Sequence, residues 1–332
     1  MIEENSAEQS PATGMDKEQR RVKNRLSDVF FKYVFANKNN TDLLIDLLNS
    51  CFAAYPLGNR IVIESLSLED REQDAMEYDD KTSFFDIYAT TADGKDLDIE
   101  VQTVNKTGFL SRIFYYLTRM HARKLTRGEG YTDLKPSIIV CFTDFELKLP
   151  AGTEHRLYLR RYQMTELTER DVLTPNGDIF IIEVPKWIRE QSQIPENKHR
   201  RIYRWMSYLS NNDPDYIREI AQKDKHMQKL LEIEDRFTQD NARWHAYLVR
   251  EKAANDRIAE LQFAKEEGIE QGIEQGIEQG IEQEREAKIA DHRTLLEKLG
   301  SRGLTVEKIA ALTGVPAEEI LNPWSDTDGH PS

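Results

Sequence analysis

Two periodicities of apolar positions run along the chain. After a polar start, Phe30, Phe31, Tyr33, Val34 and Phe35 form a dense aromatic run. Leu43, Leu44, Leu47 and Leu48 then recur at helical spacing up to Cys51, behind Asn40 or Thr41 as the N-cap. Ile61 and Ile63 alternate with polar neighbours, which predicts a strand over 60–68. Strands are also predicted over 84–91 and 95–104, then an amphipathic helix over 109–125, ending near Gly128 and Gly130. Residues 137–142 (Ser-Ile-Ile-Val-Cys-Phe) are continuously apolar after the serine, the pattern of a strand buried on both faces. Two weaker strand patterns follow over 156–162 and 179–184. Helices and strands mixed in this order predict an α/β fold, a mixed sheet of α+β character, over 25–186.

Strand patterns stop after Pro185. Residues 187–262 read as a helical extension containing Trp187, Trp205 and Trp244. Gly-Ile-Glu-Gln then repeats four times in tandem from Gly268 to Gln283, within a repeat helix or linker over 263–290. Residues 291–323 resemble a small helix-turn-helix module pivoting at Gly314, but Glu318 and Glu319 with no basic residue on its second helix suit packing better than groove reading. Residues 1–24 read as a disordered start, with order beginning near Leu26, and 324–332 as a tail.

Composition narrows the function. Among 332 residues, 59 acidic against 45 basic give a net charge of −14, which argues against a protein that coats nucleic acid over its whole surface. No apolar run approaches the roughly 20 residues of a spanning helix, and the polar N-terminus does not read as a signal peptide. Cys51 and Cys141 form no spaced pair, which excludes a disulfide framework or a cysteine zinc site. The expected compartment is the cytoplasm.

The most informative stretch is 84–102. Asp93-Gly94 between alternating runs signals a hairpin. A two-residue loop would set Asp86 against Val101 and mix polar with apolar side chains on each face. A three-residue loop, Ala92-Asp93-Gly94, puts glycine at the left-handed position and Asp86 opposite Glu100. Phe85, Ile87, Ala89, Leu97, Ile99 and Val101 then share one face; Asp86, Tyr88, Thr90, Asp96, Asp98, Glu100 and Gln102 share the other. The clean separation favours the second register. Opposed carboxylates, with Cβ atoms about 5 Å apart, must share a proton or bind a cation. Hard oxygen ligands on a rigid hairpin suit Mg²⁺ or Mn²⁺, and Gln102 on the same face could orient a water. The alternative is an ordinary solvated sheet face.

Aspartate, a hairpin, then Glu-x-Gln, a helix and a buried strand resemble the PD-(D/E)XK nuclease superfamily. Within it the chain resembles the Rpn family of recombination-promoting nucleases, the PD-(D/E)XK nuclease family transposases. Asp28-Val29-Phe30-Phe31-Lys32 with Phe35, Phe85-Asp86-Ile87, Ile99-Glu100-Val101-Gln102, Arg112 to Tyr116, and Gly130-Tyr131 through Lys135-Pro136 carry the likeness, as does the tandem repeat. The resemblance implies a restriction-endonuclease-like core and Asp86, Glu100 and Gln102 as catalytic residues. It implies Asp86, Glu100 and the Val101 carbonyl as ligands of Mg²⁺ or Mn²⁺, and hydrolysis of DNA phosphodiesters. Gln102 stands where the superfamily usually has lysine; it can hold a water but supplies no positive charge.

Arg112, Arg119 and Arg123 fall on one helical stripe, joined by Lys124, as candidate phosphate contacts against the alternative of a solvated face. His121 is a candidate general base, against a structural histidine. The three tryptophans read as core residues, with base stacking as the alternative. The repeat, with glycine allowing close approach and isoleucine supplying burial, reads as a helix for self-association or for a partner helix, against the alternative of a flexible linker, and a homo-oligomer is the expected assembly. The reading is a metal-dependent DNA endonuclease of recombination, transposition or defence. The alternative is a non-catalytic nucleic-acid-binding or assembly protein that kept the nuclease fold.

Overall fold

The computed structural model describes residues 20–55, 60–69, 86–123, 130–147, 157–190, 192, 194, 197–198 and 200–321. Expectations for 1–19, Phe84, Phe85, Lys124 and the 324–332 tail lie outside them.

Helix α1 (Asp28–Phe35) buries Phe30, Phe31, Val34 and Phe35, a set whose i, i+4 spacing faces one side. Helix α2 (Thr41–Ala54) buries Leu43, Leu44, Leu47, Leu48 and Cys51, as its spacing predicts. Asn40 occupies its N-cap position but makes no side-chain cap; its Nδ2 donates 2.8 Å to the Val34 carbonyl and ties off α1 instead. Packing starts earlier than the predicted Leu26: Val22 is buried, and the Lys23 and Asn24 N–H groups each donate 3.0 Å to the Tyr247 hydroxyl.

Six strands form one mixed sheet in the order β1-β2-β3-β4-β6-β5. They are β1 (Leu66–Leu68), β2 (Ile87–Thr91), β3 (Asp96–Gln102), β4 (Ser137–Thr143), β5 (Leu159–Tyr162) and β6 (Gly177–Glu183). β3, β4 and β6 run parallel; β1, β2 and β5 are antiparallel to their neighbours. The strand predicted over 60–68 shrinks to β1. The Asn49 side chain takes both the N–H and the carbonyl of Ile63, each at 2.8 Å, and so replaces a ladder there.

Helix α3 (Phe109–Ala122) connects β3 to β4 and packs Phe109, Ile113, Leu117 and Met120 on Ile139, Cys141 and Ile181, on one face of the sheet. The other face carries Ile87, Ala89, Leu97, Ile99, Val101, Ile138, Val140, Phe142, Phe180 and Ile182. That face shares one continuous core with α1 and α2, and with α4 (Val184–Glu190), α5 (Arg201–Ser210), α6 (Pro214–Ala221) and α7 (Lys225–Gln239). The helices after Pro185 therefore belong to the core of the nuclease-like region rather than extending from it. Asp46 of α2 locks this arrangement: Trp205 Nε1 donates 2.7 Å to it, and Arg201 and Arg204 pair with it. Burial alone would raise its carboxyl, but Trp205 and the two arginines hold it below its usual range.

Helix α8 runs over Asn241–Ser301. The chain divides into two compact units, the first ending at Ile258 and the second starting at Ala259. In the second unit α9 (Val306–Thr313) ends at Gly314 in the left-handed region (φ +75°) and is followed by α10 (Ala317–Leu321). Within the repeat, Ile269, Ile273, Ile277 and Ile281 are 52–63% exposed. No helix among the described residues is long and apolar enough to cross a membrane.

Candidate active site

The hairpin that carries the site adopts the three-residue loop. Ile87 lies opposite Ile99, Tyr88 opposite Asp98, Ala89 opposite Leu97 and Thr90 opposite Asp96. The Thr91 N–H donates 2.9 Å to the Lys95 carbonyl and closes the loop, and Gly94 takes φ +83°. The same register carries Asp86 to the level of Glu100. The polar face is not solvated, however. Asp96, Asp98 and Glu100 are all buried, on the face of the sheet that α3 packs against.

The pair is held by reciprocal bonds. The Asp86 N–H donates 3.1 Å to Glu100 Oε1, and the Val101 N–H donates 3.1 Å to Asp86 Oδ2. Gln102 Nε2 donates 3.1 Å to the other Glu100 oxygen, and Arg112 Nη2 donates 2.7 Å to Gln102 Oε1. At the far end, Lys32 Nζ sits 2.8 Å from Asp86 Oδ1 and 2.5 Å from Asp28. A line of polar groups therefore runs Lys32, Asp86, Glu100, Gln102, Arg112, with a cation at each end. It lies at the carboxyl end of β3, beside parallel β4, where ligands of such sheets bind.

Burial and the neighbouring Asp86 charge push the Glu100 carboxyl up to about 8. Burial also raises the Tyr116 phenol; Arg112 opposes this, and Glu100, Asp98 and Asp86 reinforce it. Lys32 is the reverse case: burial works against its charge, but Asp86 and Asp28 outweigh that and hold its pKa above the usual value. A site with two close carboxylates, one of them reluctant to ionise, is short of positive charge.

A hard divalent ion fits this donor set. The Lys32 ammonium already stands on Asp86 as a monovalent cation. No group of three or more His, Cys, Asp or Glu side chains suited to a metal occurs among the described residues. Two carboxylates, with water and backbone carbonyl for the rest of the shell, are a donor set that Mg²⁺ accepts.

A family model described as PD-(D/E)XK nuclease family transposase matches residues 25–264. The chain belongs to that family. Membership of the PD-(D/E)XK transposases places it among nuclease-type proteins, with a PD-(D/E)XK core and a helical C-terminal region. No curated protein and no solved structure matches the chain.

The other candidates divide. Arg112 is drawn into the site through Gln102 rather than lying on a solvated face. Arg119 donates 3.1 Å to the Tyr115 hydroxyl, and Arg123 is exposed just past the end of α3. His121 Nδ1 lies 3.2 Å from the Ser137 hydroxyl. Ser137 opens β4, whereas Glu100 pairs with Cys141, four residues along. His121 thus contacts the first residue of β4, about 13 Å along the strand from the Cys141 level of Glu100. Trp187, Trp205 and Trp244 are buried and unable to stack on bases. Sequence reading gave Lys32 no role: its i, i+4 pair with Asp28 is visible in the sequence, but its contact with Asp86 is not.

Proposed function

We propose that the Asp86–Glu100 hairpin is the active site of a divalent-metal-dependent endonuclease that hydrolyses DNA phosphodiesters in recombination, transposition or defence. The observation that carries this reading is the Asp86–Glu100 pairing at the end of a parallel strand, with Gln102 and Arg112 fixed beside it. Family membership supports the reaction class.

Asp86, Glu100 and the Val101 carbonyl would hold Mg²⁺ or Mn²⁺. The bound ion supplies an acidified water and neutralises charge on the scissile phosphate. The chain's own residues do the rest. The Val101 and Asp86 N–H groups fix the two carboxylates before substrate arrives. Gln102 offers an amide to orient a water, and Arg112 sets the amide's direction by holding its oxygen. Arg112, Arg119 and Arg123 offer charge to the DNA backbone, with Lys124 next in sequence.

The repeat helix is the proposed homo-oligomer contact. Its isoleucines are exposed, and among the described residues no atom beyond the helix's own neighbouring backbone lies within 4 Å of where a Cβ would stand on Gly268, Gly272, Gly276 or Gly280. Cytoplasmic location is part of the same proposal.

Supercoiled plasmid and a long RNA, each incubated with EDTA, Mg²⁺ or Mn²⁺, test the reaction and its substrate. Nicking of the plasmid that requires the ion is expected. Ion-dependent loss of the RNA alone would replace DNA as substrate, and no cleavage of either would reject the reading.

A further inference from the structure

Gln102 leaves a chemical gap. An amide can hold the attacking water, but it brings no positive charge to a phosphate that gains negative charge as it is attacked. We infer that Lys32, on helix α1, fills the gap: its ammonium is the catalytic cation of the Asp86–Glu100 site, donating to a non-bridging oxygen of the scissile phosphate. The inference rests on the nuclease reading above and names a residue for it.

Four observations converge. Lys32 Nζ lies 2.8 Å from Asp86 Oδ1, so it is already inside the site. Its backbone is anchored on both sides, because Phe30, Phe31, Val34 and Phe35 are all buried in the main core. Its side chain is 34% exposed, so an incoming phosphate can reach it. An ammonium has three donors; Asp86 and Asp28 take two, and one remains for phosphate. Asp28 acts as the positioning residue, holding Nζ from the same helix face four residues away. Arg112, at the opposite end of the line, holds the Gln102 oxygen through Nη2.

The contact also makes Lys32 and a divalent ion rivals for Asp86. A purely structural lysine would behave differently on removal, and this separates the two roles. The experiment uses the full-length protein with Lys32→Met and Lys32→Arg. It measures Mn²⁺-dependent plasmid cleavage, Mn²⁺ affinity by calorimetry without DNA, duplex binding in Ca²⁺ by fluorescence anisotropy, and thermal melting.

Lys32→Met should cut cleavage on the order of 10²–10³-fold, the scale for losing one transition-state donor. It should bind Mn²⁺ as tightly as wild type or tighter, because the competing charge is gone, and it should bind the duplex more weakly. Lys32→Arg, which keeps charge but changes donor geometry, should recover part of the rate. Lys32→Met that cleaves within about threefold of wild type would overturn the assignment, as would loss of Mn²⁺ binding in that variant. If Lys32→Met does not fold, Lys32→Arg decides: a rate reduced about tenfold or more supports the role, and a wild-type rate overturns it. Wild-type protein inactive on every substrate would overturn the nuclease reading and this assignment together. Active wild type with an equally active Lys32→Met would overturn the assignment alone.

Discussion

At the scale of the residue, the site is a problem of charge. Asp86 and Glu100 face each other because hydrophobic patterning fixes the hairpin register, and burial, reinforced by the Asp86 charge, makes Glu100 the one that resists ionisation. A carboxyl held up to about 8 in the folded state, against about 4.5 unfolded, binds its proton more tightly in the native protein. Its contribution to stability is therefore complete below about pH 4.5 and is lost as pH rises through 8. With divalent ions chelated, Glu100→Gln should raise the melting temperature more at pH 9 than at pH 5, as scanning calorimetry would show; an equal gap at both values would contradict the charge argument. The opposed pair was legible from alternation alone, because only one loop length sorts the faces. Lys32 was not. It meets Asp86 across 54 residues of chain, and no local pattern encodes such a contact.

At the scale of the element, the hairpin depends on Gly94. Its φ of +83° lies where other residues cost about 1–2 kcal/mol, and a Cβ there would stand 3.1 Å from Lys135 Cγ. Gly94→Ala should lower stability by about that amount in denaturant titrations without changing the core of the sheet, and an unchanged midpoint would mean a different turn. Apolar patterning located α2, α3 and β4 well, because each has one decisive burial pattern, but left the aromatic run of α1 without an assigned element. It overextended the strand at 60–68, where the Asn49 side chain takes the backbone bonds that a neighbouring strand would have made. The alternative of a solvated hairpin face does not hold: α3 packs on that face of the sheet, and Asp98 and Glu100 are buried. The composition of a strand does not say what lies on it.

At the scale of the whole molecule, the change from strands to helices after Pro185 looked like a boundary but is not one. Trp187, Trp205, Phe237 and Tyr247 share the core that holds α1 against the sheet, and α1 presents Lys32 to the site. The family match, running to residue 264, spans that helical region as well. The repeat stands apart in chemistry: its isoleucines are exposed and its glycines leave room for a neighbour. Replacing Ile269, Ile273, Ile277 and Ile281 with serine should shift the full-length protein to a smaller species in sedimentation velocity. An unchanged distribution would remove the repeat from assembly. The central claim is that Asp86 and Glu100 together form the hydrolytic centre, and plasmid cleavage in Mg²⁺ or Mn²⁺ by wild type, Asp86→Ala and Glu100→Ala tests it most directly. Ion-dependent nicking by wild type that both substitutions abolish, with folding retained, is the predicted result. Cleavage indifferent to both substitutions would contradict it.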